Sequence, residues 1–130
     1  MFAHCLDGYN SGGIFAIGHV VQPNVINSTP LIPGEEHYTS YVMGIEVGGE
    51  FLNLSNGIVE KRKAIIDSGT SLVYLLEVIY KPLVNKGDLI CLGWQENNMG
   101  STSERDIIVL GELILLDKLF LYDLEKQTIG

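Results

Sequence analysis

Apolar residues in this chain fall in short clusters set apart by glycine, proline and small polar residues, and the clusters keep two different periods. Ile14 to Gly18 is a compact apolar run that reads as a short buried strand. Pro23, Asn27, Pro30, Pro33 and Gly34 then break the chain into turns and extended pieces. Tyr41, Met43, Ile45 and Val47 alternate with more polar or small residues, which predicts a half-buried strand. Gly48-Gly49 is a hairpin turn signal that would return Phe51 to Leu54 antiparallel. Ala64-Ile65-Ile66 is an apolar run that leads straight into Asp67. Leu76, Ile79, Tyr80, Leu83 and Val84 are spaced for one face of a helix, which Pro82 is expected to shorten or kink. Ile107 to Leu110 reads as a buried strand closed by Gly111, followed by a helical turn at Glu112 to Leu115. Lys118 to Leu124, with β-favourable Phe120 and Tyr122, predicts a final strand. The sum is a mostly β, mostly antiparallel domain with one or two short helices.

Composition narrows this picture. A length of 130 residues is one domain or part of one, and 46% hydrophobic residues suffice for a core. Fifteen glycines favour a turn-rich β fold. Sixteen acidic against eight basic residues leave a net charge of −8, which argues against nucleic acid or an anionic membrane surface as partner. The most apolar stretch, Ile107 to Leu124, is interrupted by Glu112, Asp117, Lys118 and Asp123, so no membrane span is expected. Met1 to Cys5 lack the basic start and apolar centre of a signal peptide. Asn27-Ser28-Thr29 and Asn53-Leu54-Ser55 are glycosylation acceptor patterns, which matter only in a secreted protein.

Candidate chemistry is sparse. Cys5 and Cys91 fit either one disulfide or two free thiols; their separation is wrong for a zinc pair, and neither sits in a C-x-x-C motif. His4, His19 and His37 are scattered without metal-ligand spacing and read as ordinary surface or partly buried histidines. Gly8 to Gly13 is glycine-rich but no lysine follows at P-loop spacing, so it reads as a turn. Glu35-Glu36 reads as a solvated loop, and Trp94 and the tyrosines as core or rim. No metal and no cofactor are expected. Asp67-Ser68-Gly69-Thr70 is the most informative stretch. It places a carboxylate at the lip of a buried strand, with Gly69 to permit a tight turn and the hydroxyls of Ser68 and Thr70 able to hold the acid. Taken alone, the stretch reads first as an Asp-capped turn, because these residues dominate turns anyway.

Its context decides between those readings. Ala64 to Leu72 resembles the second active-site motif of the pepsin-like aspartic peptidases, most closely their plant branch, where a strand runs into D-S-G-T-T or D-S-G-T-S. Val78 to Val84 is similar to the helix that follows, and Ile108 to Glu112 to the apolar-apolar-Gly strand behind the active-site loop. Phe120 to Glu125 with Ile129-Gly130 resembles the family's terminal strands, and Phe2 to Leu6 with Gly12 to Gly18 the opening of its carboxy-terminal lobe.

The resemblance implies a fold: residues 1–130 as a single domain, a partial carboxy-terminal lobe of the pepsin-like acid protease fold. It also implies an activity, peptide-bond hydrolysis by two carboxylates and an activated water. Asp67 matches the second-lobe aspartate, Ser68 the hydroxyl that braces the two loops, and Thr70 the hydroxyl bonding its own carboxylate. Leu72 to Leu75 could line a substrate pocket. A polypeptide substrate and a secreted or extracellular location are implied as well. The departures matter equally. The chain has no second D-S-G or D-T-G, so activity is expected to need an amino-terminal lobe or a second subunit. Met1 falls inside the segment that the family writes F-S-H-C-L, which looks like a start in mid-protein. A deletion of a few dozen residues is expected near 86–88, where Lys86 runs almost directly into Leu89 to Trp94. Leu76 and Glu112 replace a common proline and a common aspartate. Two alternatives remain: a non-catalytic protein-binding module like the plant inhibitors of glycosidases such as xylanases, or a truncated product without independent function.

Overall fold

The computed structural model describes residues 1–9, 12–19, 26–47, 49–51, 62–85, 93–98 and 106–130. In chain order the first elements are β1 (Phe2–Asp7), β2 (Gly12–Ile17), β3 (Thr29–Pro30), β4 (Thr39–Val42), β5 (Glu46–Val47), β6 (Glu50–Phe51) and β7 (Arg62–Ile66). They are followed by β8 (Val73–Leu75), α1 (Glu77–Asn85), β9 (Trp94–Glu96), β10 (Ile108–Leu110), α2 (Glu112–Leu115), β11 (Leu119–Asp123) and β12 (Thr128–Ile129). The chain is therefore mostly β with two short helices among the described residues, as expected.

The strands form two sheets and a small hairpin. One sheet has the order β2-β1-β11-β12-β3 and is antiparallel throughout. The other has the order β4-β7-β10-β8-β9 and is mixed. In it β7 and β10 run parallel with Ala64 beside Ile108 and Ile66 beside Leu110, and β8 and β9 are also parallel. This departs from the mostly antiparallel expectation for a topological reason. Parallel neighbours need a crossover, and β8, α1 and β9 supply the one between β7 and β10. Strands β8 and β9 carried no clear period in the sequence because each is only three residues long.

Two apolar clusters hold the sheets. Ala64, Val73, Leu75, Leu76, Ile79, Leu83 and Ile108 form one, which buries the inner face of α1. Ile66, Leu115, Tyr122 and Ile129 form the other, and Leu115 is fully shielded from water. Leu110 and Ile114 pack against both, so the β10–α2 corner joins the two halves of the core. The helix α1 continues through Pro82 to Asn85, so the proline does not end it early. At that position the ring removes one backbone donor, and packing of Ile79 and Leu83 compensates.

Several finer expectations need correction. The Ile14–Gly18 run is a strand but not a buried one: Ile14, Phe15 and Ile17 are 73%, 65% and 80% exposed, because β2 is the outermost strand of its sheet. In the second stretch the buried residues are Thr39 and Ser40, while Tyr41 and Met43 are exposed. Those two hydroxyls are satisfied where they lie, Thr39 donating to the His37 carbonyl at 3.1 Å and Ser40 to the Pro30 carbonyl at 2.9 Å. Strands β5 and β6 do pair antiparallel, Val47 beside Glu50, with Gly49 at a positive φ of 85°; Gly48 and residues 52–54 of the expected hairpin lie outside the described residues. Cys5 is a half-buried free thiol. Cys91, Asn53, and the junction expected at 86–88 lie outside the described residues, whereas Asn27 is exposed. No helix among the described residues is long and apolar enough to cross a membrane.

Gly111 sits where the corner is tightest: a β-carbon there would collide with the carbonyl oxygens of Leu72 and Thr70. Since both obstacles are backbone, neither can swing away. Replacing Gly111 with alanine is expected to cost about 2–4 kcal/mol, read as a lowered midpoint in urea unfolding. An unchanged midpoint would show that the loop can retreat.

Candidate active site

Strand β7 is buried at Ala64 and Ile66, and apolar burial there leaves Asp67 as the first residue past the strand's end. The backbone holds this end from two sides. The Ile66 N–H donates to the Tyr38 carbonyl at 2.9 Å, and the Asp67 N–H to the Leu110 carbonyl at 3.0 Å. Thr70 N–H then donates back to the Asp67 carbonyl at 3.3 Å, closing a tight turn. The far side of that turn is fixed as well, since Glu112 and Leu113 donate their N–H groups to the Thr70 and Ser71 carbonyls at 2.6 and 3.2 Å.

Within the turn each carboxylate oxygen of Asp67 accepts one hydrogen bond. The Gly69 N–H reaches Oδ1 at 2.9 Å, and the Thr70 hydroxyl donates to Oδ2 at 2.7 Å. Gly69 does not have the positive φ that a tight turn often demands. Its smallness matters through proximity instead, because a β-carbon there would lie 3.2 Å from Oδ1. The Thr70 hydroxyl is the main influence that lowers the Asp67 pKa below 3.8; partial burial opposes it, while the Gly69 N–H and the charge of His37 assist. Asp67 is half-buried and Ser68 is exposed beside it. The structure thus presents an ionised, positioned carboxylate to an open space.

That space is a cavity of about 580 Å³. Besides Asp67 and Ser68 it is lined by Phe2 and His4 from β1, Phe15 from β2, His37 and Tyr38 before β4, and Tyr122 from β11. The rings make a stacked wall, with Phe2 and Tyr122 centroids 4.4 Å apart at 7° and Tyr38 and Tyr122 at 4.8 Å. Burial and the neighbouring Tyr38 push the Tyr122 phenol up to about 12, so it is a neutral hydroxyl. His4, only 8% exposed, bonds that hydroxyl through Nε2 at 3.1 Å, and its buried Nδ1 has no partner. Burial lowers the His4 pKa.

The histidines were expected to be surface or partly buried. His4 is instead buried, while His37 is exposed and lines the same cavity as Asp67. No spacing in the sequence announces this, because the cavity is assembled from five separate segments. Val73 and Leu75 face the core cluster, which removes them as pocket candidates. Among the described residues no group of three or more His, Cys, Asp or Glu side chains could hold a metal ion.

A carboxylate fixed at the end of a strand, between a parallel neighbour and a crossing loop, in a two-sheet β lobe defines an acid-protease lobe: this is the carboxy-terminal lobe of the pepsin-like fold. Comparison with known proteins agrees. No family model matches the chain. Aspartic proteinase 39 of Arabidopsis thaliana is 29% identical over 184 aligned residues, covering all of this chain and 38% of that protein. Aspartic proteinase 36 of the same plant is 30% identical over 187, covering all of this chain and 39% of that protein. Over its whole length the chain is thus similar to plant aspartic proteinases. It spans less than two-fifths of the length of these curated relatives. Both alignments are also longer than the chain's own 130 residues, so within the matched region the relatives carry residues that this chain lacks.

Two measurements probe the site. Asp67 has a depressed pKa in the folded state, so its stabilisation is complete above 3.8 and is lost as pH falls through the folded value. Thr70→Val is therefore expected to raise the Asp67 titration midpoint toward 3.8, followed by carboxyl NMR, and to cost about 0.5–1 kcal/mol at neutral pH. An unmoved midpoint would assign the depression elsewhere. His4 gives a second slope of the same sign. Being held neutral by burial, it contributes stability that is intact above 6.5 and declines as pH falls from there to its lowered folded value. Denaturation midpoints should drop across that range, and His4→Gln should flatten the drop; a parallel pH profile in the variant would exclude His4 as its source.

Proposed function

We propose that this chain acts as the carboxy-terminal half of an aspartic endopeptidase, contributing Asp67 to a catalytic pair whose other member comes from an amino-terminal lobe or a second subunit. The observation that carries the reading is the double clamp on Asp67, one donor to each oxygen, with the carboxylate facing an open aromatic-walled cavity. A clamp of this kind fixes the orientation of the carboxylate, as proton transfer requires. With a second carboxyl alongside, the two would share one proton, since two negative charges so close are unfavourable. The ionised member takes a proton from water as the oxygen bonds to the substrate carbonyl carbon. The protonated member gives its proton to the carbonyl oxygen. Collapse of the resulting diol breaks the C–N bond, with a proton passing to the leaving nitrogen. Ser68, exposed at the cavity mouth, is available to bridge to the partner loop. The names of the relatives support a peptide substrate, and exposed Asn27 in its acceptor pattern is compatible with secretion.

A second reading, a protein-binding lobe, is favoured by the exposed Ile14, Phe15 and Ile17 on β2. The two separate cleanly. The chain is mixed with the amino-terminal lobe of Aspartic proteinase 36 and assayed for peptide cleavage near pH 4. Cleavage is expected, falling about 10²–10⁴-fold with Asp67→Asn. Cleavage that survives this substitution sinks the peptidase reading. Inhibition of a xylanase by the chain, indifferent to Asp67→Asn, favours the binding lobe.

A further inference from the structure

We propose that Tyr122 is a binding residue that donates its hydroxyl proton to a substrate peptide carbonyl in the cavity, and that His4 is the positioning residue that leaves this proton free. The proposal rests on reading the cavity as the peptide site of an aspartic peptidase lobe.

Strand register puts the two side chains together. Phe2 is paired with Tyr122 and His4 with Phe120 in the antiparallel β1–β11 ladder, so His4 and Tyr122 are diagonal neighbours on one face. The His4 ring stacks on Phe120, with centroids 5.6 Å apart at 20°, and its Nε2 lies 3.1 Å from the Tyr122 hydroxyl. Both side chains line the cavity that Asp67 and Ser68 border. Both are more than nine-tenths buried, His4 at 8% and Tyr122 at 3% exposure.

The hydrogen-bonding capacity of this pair is not used up. A neutral imidazole has one N–H and one bare nitrogen. Burial favours the neutral form of His4, and its Nδ1 is buried with no partner. A proton on Nδ1 would be a buried donor with no acceptor, and orphan donors are rarer in folded proteins than orphan acceptors. The proton therefore sits on Nε2 and is donated to the Tyr122 oxygen. The phenol keeps its own proton, because burial holds it neutral. That proton is left over once the oxygen has accepted from His4, and among the described residues no other group takes it.

A buried donor in the wall of an open cavity selects its occupant. The matching group is an acceptor oxygen. A carboxylate or phosphate is disfavoured, because the carboxylates of Asp67 and Glu36 outnumber His37 in that wall. A neutral carbonyl meets no such repulsion. The tilted rings of Phe2, Phe15 and Tyr38 suit a planar or apolar neighbour. An amide carbonyl beside an apolar side chain, as in a peptide, satisfies both conditions.

The test uses the full chain at neutral pH. Long-range proton–nitrogen spectra of the histidine rings are expected to show the His4 proton on Nε2; a proton on Nδ1 overturns the proposal. N-acetyl-phenylalanine amide is then titrated in. It is expected to bind in the millimolar range and to shift the Tyr122 ring carbon that bears the hydroxyl. No saturable shift at that carbon overturns the proposal, and this reading needs no variant. Free N-acetyl-phenylalanine, an anion, should bind more weakly; equal or tighter binding overturns the choice of a neutral carbonyl. Tyr122→Phe, with its fold checked by the backbone amide spectrum, should weaken amide binding about 2–10-fold. Equal affinity overturns the proposal. In the lobe-mixing assay the same variant should raise KM by a matching factor, more than it lowers kcat. An unmoved KM with weaker association of the two lobes overturns it by assigning the carbonyl to the partner lobe. Failure of the mixed lobes to cleave at all would instead reject the peptidase reading, while the spectra and amide titrations still report on Tyr122 and His4.

Discussion

The close approach of backbone to backbone at the β10–α2 corner is the constraint on which the rest of the site depends. Gly111 lets the chain pass against the carbonyls of Leu72 and Thr70, and only because it does so can Glu112 N–H reach the Thr70 carbonyl. The same strand, one residue earlier, gives its Leu110 carbonyl to Asp67 N–H. The turn that carries Asp67 is thereby held at both ends by backbone hydrogen bonds, which have few conformations to lose. Side-chain clamps on Asp67 then act on a turn that is already in place.

The corner also links site to core. Leu110 and Ile114 pack against both apolar clusters, and fully buried Leu115 follows one residue later. Disturbing the core there would reach Asp67 through the same backbone bonds. The acid site and the stability of the lobe are therefore coupled. His4, buried against Tyr122 with its Nδ1 lacking a partner, favours the folded state less as acid increases.

On the opposite side of the cavity the lobe is open. Among the described strands β2 is outermost in its sheet, with apolar side chains in water, and its Gly12 to Phe15 segment lines the cavity that Asp67 faces. An exposed apolar surface and the Asp67 carboxylate thus border the same cavity.

Much of this was written in the order of residues. The run Ala64-Ile65-Ile66 before Asp67, the small residues after it, and the helical spacing from Leu76 onward fixed β7, the turn and α1, since each is a local pattern within a few residues. Thr70 as the clamp was also legible, because its reach to Asp67 spans three residues. Other features depended on neighbours far away in sequence. That Ile14, Phe15 and Ile17 are exposed follows from β2 being outermost, which no local period records. The burial of Thr39 and Ser40 came from carbonyls that happened to lie within reach. That exposed His37 shares a cavity with Asp67 follows only from the fold. Sequence by itself determined the acid and the turn that carries it; only the tertiary structure decided which charges surround that acid, because electrostatics acts through space and register, not along the chain.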